Sequence, residues 1–392
     1  MITVSDRLKD LPPYIFSEFQ RKKAELEGKG VDVIDLGIGA PDLPTPDFIY
    51  DRLVQEAKNP ANHRYPPYKG CSEFKEAVAA FYQKQYAVDL DPETEVLALI
   101  GSKEGIANLM QTMINPGEAV LVPDPGYPVY SKAVLLAGGE PLLLSLDERN
   151  GYAPNFEQIS REDRERAKLM LLNYPSNPTA ATVELGTFQE AAAFAKKNNI
   201  FLVNDAAYDL VTFDDYQSPS VLQVPNAKDY AVELGSLSKS FNMTGWRIGY
   251  IVGNKHILKA LATLKSNIDS SQFLPIQLAA ATALKSDLAA VRKNNVIYKE
   301  RMEKLCSALN ELGVTTKKTR GTIFLWAKVP SGLSSSSFAE KLLEEAGVIV
   351  TPGTAFGSSG EGYIRIALTV SKERLNEVIN RLRKIHLKEE NC

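Results

Sequence analysis

The sequence predicts an α/β fold, with a mostly parallel seven-stranded sheet covered by helices on both faces and a smaller α+β domain. Its 392 residues are enough for two or three folding units. Short apolar stretches alternate with helical patterns through the middle of the chain, which is typical of a parallel sheet covered on both faces. After about residue 285 a long, charged helical pattern replaces this alternation and indicates the second domain.

Seven short apolar stretches are the predicted strands of the large sheet. They are residues 96–100, 119–123, 141–146, 168–173, 200–204, 230–234 and 248–252. Apolar residues at helical spacing predict helices between several of them, at residues 74–82, 106–113 and 188–197.

The second domain is predicted to contain helices and strands in mixed order. After the helix that runs to about residue 312, we expect a strand at 323–327, a helix at 338–345, strands at 348–350 and 363–368, and a terminal helix from about residue 372. The expected division is a large domain of residues 46–284 and a small domain formed by residues 1–45 together with residues 285–392.

Charge and cysteine content argue against several classes of function. The chain has 45 Lys and Arg against 48 Asp and Glu, a net charge of −3, so we expect no nucleic-acid partner. Cys71, Cys306 and Cys392 lack metal-ligand spacing and are typical of free thiols in a reducing compartment. Because no signal pattern and no apolar run of about 18 residues occur, a cytoplasmic location without membrane insertion is predicted.

The three histidines, His63, His256 and His386, have neither zinc-ligand spacing nor a Gly-x-Ser-x-Gly partner motif. No metal site is therefore expected. The chemistry must come from Lys, Asp, Tyr or Arg side chains, or from a cofactor.

The most informative segment is Ser-Leu-Ser-Lys-Ser-Phe-Asn-Met-Thr-Gly-Trp-Arg, residues 236–247. The amine of Lys239 can form a Schiff base with an aldehyde. The neighbouring hydroxyls and Arg247 can hold a phosphate dianion. Pyridoxal 5′-phosphate presents both groups on one molecule, whereas a solvated loop lysine is the alternative interpretation of this segment alone.

Other candidates directly follow predicted strands, where ligands of open α/β sheets bind. Asp205 could keep a pyridine nitrogen protonated while Tyr208 reaches the ring oxygen, although an ordinary helix cap would also explain the Asp. Asn177, in a loop fixed by two prolines, can donate to the same oxygen; Asn-Pro is also an ordinary turn. The loop of residues 101–105 opens a helix and could approach an anion, or could be a simple turn.

Two more segments suggest contacts with a ligand. Arg365 lies in an otherwise apolar strand, where a guanidinium suits a carboxylate in two parallel hydrogen bonds; a structural salt bridge is the alternative. The Gly-Ile-Gly-Ala-Pro-Asp turn of residues 37–42 could bring Gly39 close to a ligand, or be a plain loop.

Taken together, these motifs resemble the pyridoxal-phosphate-dependent class I/II aminotransferases of the aspartate aminotransferase superfamily, over essentially the whole chain. The most specific part is Ser-Leu-Ser-Lys with Met-Thr-Gly-Trp-Arg, supported by Asn-Pro-Thr, Asp-x-x-Tyr and the late Arg365. The stretches Ile-Asp-Leu-Gly-Ile-Gly-Ala-Pro-Asp and Val-Pro-Asp-Pro-Gly-Tyr-Pro-Val-Tyr look like the LL-diaminopimelate aminotransferase-like bacterial subgroup.

The resemblance implies how the cofactor would be held. Lys239 would bind the aldehyde and later move the substrate proton, Asp205 would pair with the pyridinium, and Asn177 and Tyr208 would hold the ring oxygen. Tyr127 would stack on the ring. The phosphate would be bound by Ser102, Lys103, Ser236, Ser238 and Arg247.

The resemblance also implies the substrate contacts and a homodimer. Arg365, helped by Asn177 and the Gly39 backbone, would bind the substrate carboxylate. Tyr65 would reach the phosphate in the neighbouring subunit. Relatives usually have Asn-Pro-Thr-Gly where this chain has Ala180, so a positive φ there would cost roughly 1 kcal/mol, and we expect an altered loop with retained activity.

The predicted activity is transfer of an amino group between an L-amino acid and a 2-oxo acid, with glutamate and 2-oxoglutarate on one side and an LL-diaminopimelate-like, alanine or aromatic partner on the other. A carbon–sulfur β-lyase with the same cofactor is the first alternative, and a non-catalytic sensing module is the second. The distal acid or amine of the second substrate is expected to be recognised near residues 14–19, Lys103, Glu104 or Arg292.

Overall fold

The structure is a computed structural model that describes residues 3–9, 11 and 15–385. Cys392 and His386 lie outside these residues. The helices are α1 (Asp6–Lys9), α2 (Ile15–Gly28), α3 (Asp47–Ala57), α4 (Ser72–Tyr86), α5 (Ser102–Met113), α6 (Val129–Leu136), α7 (Arg161–Arg166), α8 (Leu185–Asn198), α9 (Leu237–Ser240), α10 (Lys255–Ser266), α11 (Leu274–Lys285), α12 (Ala289–Glu311), α13 (Ser335–Ala346) and α14 (Lys372–Leu382). The strands are β1 (Ile34–Asp35), β2 (Val96–Leu99), β3 (Ala119–Asp124), β4 (Glu140–Ser145), β5 (Ala167–Leu172), β6 (Phe201–Asp205), β7 (Ala231–Ser236), β8 (Gly249–Gly253), β9 (Thr315–Thr316), β10 (Phe324–Lys328), β11 (Val348–Ile349), β12 (Thr351–Pro352) and β13 (Tyr363–Ala367).

The seven predicted strands form one sheet in the order β2-β8-β7-β6-β5-β3-β4. Strand β8 is antiparallel to both of its neighbours, and the other pairs are parallel. The mostly parallel sheet is therefore confirmed, with each strand end within two residues of its prediction.

Helices cover both faces of this sheet, as the apolar strands require. Along β5, Met170 and Leu172 face one buried cluster, which includes residues of α4, α8 and α11. Leu169 and Leu171 face the other, which includes residues of α5, α6 and α10. Because side chains alternate across a strand, a continuous apolar run fills two cores.

The smaller core combines an early segment of the chain and its last third with a few residues from the middle, which are Ala180, Tyr208, Val211 and Phe213. Strands β12-β13-β10-β9 form a four-stranded sheet, and β1 pairs with β11. The predicted strands at 323–327 and 363–368 and the helices at 338–345 and from 372 are confirmed as β10, β13, α13 and α14. The two-residue strands β1 and β9 were not predicted, because their hydrophobic pattern is too short to recognise.

The long helix predicted from about residue 285 to residue 312 is confirmed as α12. It is separated from α11 by a short break, where Leu288 has a φ of +63°. Val291, near the start of α12, packs in a large-sheet core, whereas Tyr298, Met302 and Leu305 pack in the smaller core. Helix α12 thus contributes to both cores, and the limits of the two domains stay a prediction.

Within the described part of the chain, no helix is both long enough and apolar enough to span a membrane. Cys71 and Cys306 are buried free thiols.

Candidate active site

A cavity of about 440 Å³ lies beside the carboxyl ends of β5, β6 and β7. Every predicted site residue except Tyr65 lines it. Those residues are Gly39, Ser102, Lys103, Tyr127, Asn177, Asp205, Tyr208, Ser236, Ser238, Lys239, Arg247 and Arg365. The structure therefore brings together side chains that are up to about 300 residues apart in sequence.

The strand order explains this convergence. Parallel strands β5, β6 and β7 end at the same edge of the sheet, and the residues after them face one crevice. Asn177 follows β5, Asp205 ends β6, and Ser236 ends β7 and caps the short helix that carries Lys239.

The amine of Lys239 points into this cavity. Its Nζ donates a hydrogen bond to the carbonyl oxygen of Gly39 at 2.7 Å. Burial lowers the pKa of Lys239 to about 8, and the positive charges of Arg365 and Arg247 act in the same direction. About a tenth of the amine is therefore neutral and nucleophilic at pH 7, far more than for an ordinary lysine.

Asp205 is buried with one oxygen held and the other available. The Tyr130 hydroxyl donates to Oδ2 at 2.9 Å, whereas Oδ1 is buried without a hydrogen-bond partner of standard geometry among the described residues. Burial raises the pKa of Asp205 to about 6, opposed by hydrogen bonds from Tyr130 and the Ala207 amide. The raised pKa means that burial destabilises the ionised carboxylate. A cationic N–H group next to Oδ1 would stabilise the ionised form and supply the hydrogen bond that this oxygen lacks.

Arg365 is held between two aromatic rings and also lines the cavity. Its guanidinium lies between the rings of Phe324 and Phe356, at 4.3 and 4.7 Å from their centroids. Nη1 donates to Asn177 Oδ1 at 2.8 Å and Nη2 to the Gly37 carbonyl oxygen at 2.5 Å. The backbone oxygen that contacts Arg365 thus belongs to Gly37, while that of Gly39 contacts Lys239.

Tyr208 completes the line of polar groups between the acid and the guanidinium. It is buried, and burial raises the pKa of its phenol far above the ordinary value, with Arg365 opposing the shift. Its ring packs edge-on against Phe324, with the centroids 5.6 Å apart. The phenol therefore stays protonated and can donate a hydrogen bond at neutral pH.

The start of α5, with Ser236, Ser238 and Arg247, lines the cavity and is called the anion corner below because it could bind an anion. Ser236 and Ser238 are buried, and Gly101 precedes the helix with a φ of +80°. A Cβ on Gly101 would lie 2.3 Å from Nη2 of Arg247, so only glycine lets the guanidinium approach. Hydroxyls, a guanidinium and a helix N-terminus form a donor set for a phosphate.

These observations fit pyridoxal 5′-phosphate. Oδ1 of Asp205 supplies the missing partner for a pyridine nitrogen, Lys239 supplies the amine for an aldehyde, and the corner beside Gly101 supplies the phosphate donors.

Seven lining residues were not predicted from the sequence: Ile38, Ala40, Tyr130, Asn173, Ala207, Thr244 and Phe324. Asn173 donates from Nδ2 to the backbone oxygen of Asp205 at 2.7 Å and accepts the Asn177 amide at 2.8 Å. The one available signal was position: Asn173 directly follows a strand and Tyr130 lies three residues after Tyr127. Their partners are distant in sequence, so the pattern did not reveal the contacts.

The remaining predicted residues lie elsewhere. Tyr65 is 89% exposed in the single chain and does not line its own cavity. The Glu104 carboxylate is engaged by Lys265 at 2.8 Å and by the Ile100 amide at 2.9 Å. Arg292 lines a different cavity. Side chains of residues 14–19 are outside the described ones.

Ala180 has a φ of +55° and is buried. The condition for strain in the Asn-Pro-Thr-Ala loop is therefore confirmed, since a left-handed conformation disfavours any residue with a Cβ.

Comparison with known proteins identifies relatives over the full length. The family model "Aminotransferase class I and II" matches residues 31–382. The LL-diaminopimelate aminotransferase of Moorella thermoacetica is 50% identical over 382 residues, which are 97% of each chain. That of Aquifex aeolicus is 46% identical over 387 residues, which are 99% of this chain and 100% of the relative.

Solved structures show the same architecture. Substrate-bound BacF from Bacillus subtilis has a TM-score of 0.95 at 39% identity and covers 98% of both chains. An aspartate aminotransferase double mutant from Thermus thermophilus has a TM-score of 0.92 at 28% identity, over 98% of this chain and 100% of that one.

Proposed function

Since the chain belongs to the class I and II aminotransferases, which use pyridoxal 5′-phosphate, we propose that it transfers an amino group from LL-diaminopimelate to 2-oxoglutarate and releases glutamate. The names of the relatives from Moorella thermoacetica and Aquifex aeolicus support the donor. The observation that carries the proposal is the placement of the Lys239 amine in one cavity with the free oxygen of Asp205 and the guanidinium of Arg365.

We assign the residues around this cavity to parts of the cofactor. Asp205 would hold the pyridine nitrogen through Oδ1, Asn177 and Tyr208 the ring oxygen, and Tyr127 one face of the ring. The phosphate donors would be the loop of Ser102 and Lys103, through its backbone amides, and the side chains of Ser236, Ser238 and Arg247. When bound, the cofactor supplies an electron sink that makes the α-proton of an amino acid removable.

Lys239 is the proposed acid and base. With a pKa of about 8, its Nζ is present in both protonation states near neutral pH and can accept a proton at one stage and return it at the next. The Gly39 carbonyl oxygen accepts a hydrogen bond from this amine and fixes its position. Because Lys239 lines the same cavity as Arg365, an amino acid bound there through its carboxylate would lie within reach of the amine.

Arg365 is the proposed carboxylate-binding residue. The two aromatic rings fix the plane of its guanidinium and exclude water from it, which strengthens hydrogen bonds to an anion. Asn177 contacts the same guanidinium, so one amide links the carboxylate side of the cavity to the ring-oxygen side.

We further propose that the active unit is a homodimer in the cytoplasm. The ring of Tyr65 is almost fully exposed in the single chain, as expected of a side chain that reaches the phosphate of a neighbouring subunit. Lys103 lies at the rim of the cavity and is the proposed contact for the distal carboxylate of the donor. The buried thiols Cys71 and Cys306 suit a reducing compartment.

The test is a panel of amino donors with 2-oxoglutarate. Purified protein loaded with pyridoxal 5′-phosphate is incubated with LL-diaminopimelate, alanine, an aromatic amino acid or aspartate, and glutamate is quantified. We expect the highest rate with LL-diaminopimelate and none with Lys239→Ala. A higher rate with another donor would overturn the substrate assignment but not the reaction class.

A parallel assay addresses the β-lyase. Cystathionine is supplied without a 2-oxo acid, and ammonia and pyruvate are measured. Their release at a rate above that of glutamate formation would replace the proposed transfer by carbon–sulfur cleavage.

A further inference from the structure

Tyr130 contacts the carboxylate that we assign to the pyridine nitrogen. It ends the Val-Pro-Asp-Pro-Gly-Tyr-Pro-Val-Tyr stretch, residues 122–130, but that stretch did not predict a role for it. We propose that Tyr130 is a positioning residue: its hydroxyl fixes Oδ2 of Asp205, so that Oδ1, which has no hydrogen bond of standard geometry among the described residues, is the oxygen that accepts a hydrogen bond from the cofactor. This inference rests on the proposed role of Asp205.

The contact is buried and well defined. Tyr130, on α6, is 1% exposed, and its hydroxyl lies 2.9 Å from Oδ2 of Asp205. Its ring also packs edge-on against Tyr127, with centroids 5.6 Å apart at 85°. One short stretch of chain thus carries the proposed stacking ring and the group that orients the acid beneath it.

The backbone of Asp205 is fixed as well. Asn173 Nδ2 donates to the carbonyl oxygen of Asp205 at 2.7 Å. With its main chain and Oδ2 both held, the carboxylate cannot rotate without breaking a buried hydrogen bond. Oδ1 therefore keeps a fixed, buried position in a residue that lines the cavity.

The hydroxyl has an electrostatic consequence too. Burial favours the protonated carboxyl, and the Tyr130 hydrogen bond opposes this. A hydrogen bond to a charged group contributes more than one between neutral groups. Removing the hydroxyl should therefore leave Asp205 more often neutral and unable to bind a pyridinium.

A second tyrosine–aspartate pair in the same fold provides the contrast. The Tyr86 hydroxyl donates to Oδ2 of Asp209 at 3.0 Å, but Oδ1 of Asp209 accepts the Leu210 amide at 2.8 Å. Asp209 is buried and lines a different cavity. The two pairs share their chemistry, and only the one at Asp205 leaves an oxygen free.

The experiment compares Tyr130→Phe with the matched control Tyr86→Phe. Each change removes one buried hydroxyl and keeps the ring, so both should lower the melting temperature to a similar extent. Apoprotein is titrated with pyridoxal 5′-phosphate between about pH 5.5 and 8.5, followed by protein fluorescence. We expect Tyr130→Phe to bind about tenfold more weakly at neutral pH, with the acid limb of its affinity profile moved up by about one pH unit. Tyr86→Phe should remain within about twofold of the wild type.

A double-variant cycle separates positioning from general structural damage. In an Asp205→Asn background the residue at 205 cannot ionise, so adding Tyr130→Phe should leave the affinity and its pH profile unchanged. An equal loss in both backgrounds, or identical profiles for Tyr130→Phe and Tyr86→Phe, would overturn the inference. Wild-type apoprotein that fails to bind the cofactor would instead overturn the proposed role of the whole site.

Discussion

Asp42→Asn should destabilise the protein through a nearly buried ion pair that joins the early turn to helix α12. The guanidinium of Arg301 donates to both carboxylate oxygens of Asp42, at 2.7 and 2.9 Å. The side chain of Arg301 is 7% exposed and that of Asp42 is 22% exposed. An asparagine can accept only one of these hydrogen bonds, and its NH₂ group would face the second guanidinium N–H.

The expected cost follows from this burial. Removing one partner of a fully buried pair costs about 3–5 kcal/mol. Because Asp42 is partly exposed, solvent screens part of the loss, and we expect about 2–3 kcal/mol. At about 2–4 °C per kcal/mol for a domain of this size, the melting temperature should fall by about 4–12 °C.

Thermal scanning at one scan rate measures this effect. Glu165→Gln is the control, since the Arg161–Glu165 pair is 91% and 62% exposed, and its change should stay below about 2 °C. In the double variant Asp42→Asn with Arg301→Met, the unpaired charge is gone, so the combined loss should be smaller than the sum. A shift for Asp42→Asn no larger than that of the control would refute the reasoning.

Three further predictions concern the site and its surroundings. The rate at which apoprotein captures pyridoxal 5′-phosphate should rise with pH and level off above about pH 8. The reason is that the pKa of Lys239 is about 8 and only the neutral amine attacks the aldehyde. A capture rate independent of pH in stopped-flow absorbance would contradict this role of the amine. Gly101→Ala should weaken cofactor affinity by at least about tenfold, because the new Cβ would meet the guanidinium of Arg247. The control Gly117→Ala, at a φ of +85° with open space around it, should change only the melting temperature. Equal cofactor affinities of the two variants would count against the anion corner. Burial raises the pKa of Asp209 to about 7 from 3.8. Its contribution to stability is therefore complete below about pH 3.8 and is lost as the pH rises through about 7. Asp209→Asn should flatten the dependence of the melting temperature on pH across this window, and an unchanged dependence in thermal scans would exclude Asp209 as its cause.

Much of the site was predictable because its residues occupy positions with a local signal. Asp205 and Asn177 follow apolar strands, and Lys239 lies among small hydroxyl residues before Arg247. Parallel strands bring their carboxyl ends together whatever their separation in sequence, so alternation of strands and helices was enough to place these side chains at one edge.

Other features depended on contacts that no local pattern contains. The hydroxyl of Tyr130 meets a carboxylate 75 residues away, and Arg301 meets an aspartate 259 residues away. From the sequence alone, Tyr130 could be an ordinary core tyrosine and Arg301 an ordinary surface arginine. Only the packing of α6 and α12 against other elements selects the partner.

The sequence by itself determined the order of strands and helices along the chain and the apolar segments that form the cores. It also determined which chemical groups are available for an aldehyde, a phosphate and a carboxylate. Apolar periodicity and residue type are local properties, so they can be read from the sequence. The tertiary structure decided which oxygen of Asp205 stays free and which backbone carbonyls contact Lys239 and Arg365. These choices depend on distances of a few ångströms between segments far apart in sequence, and such distances are set by packing in three dimensions.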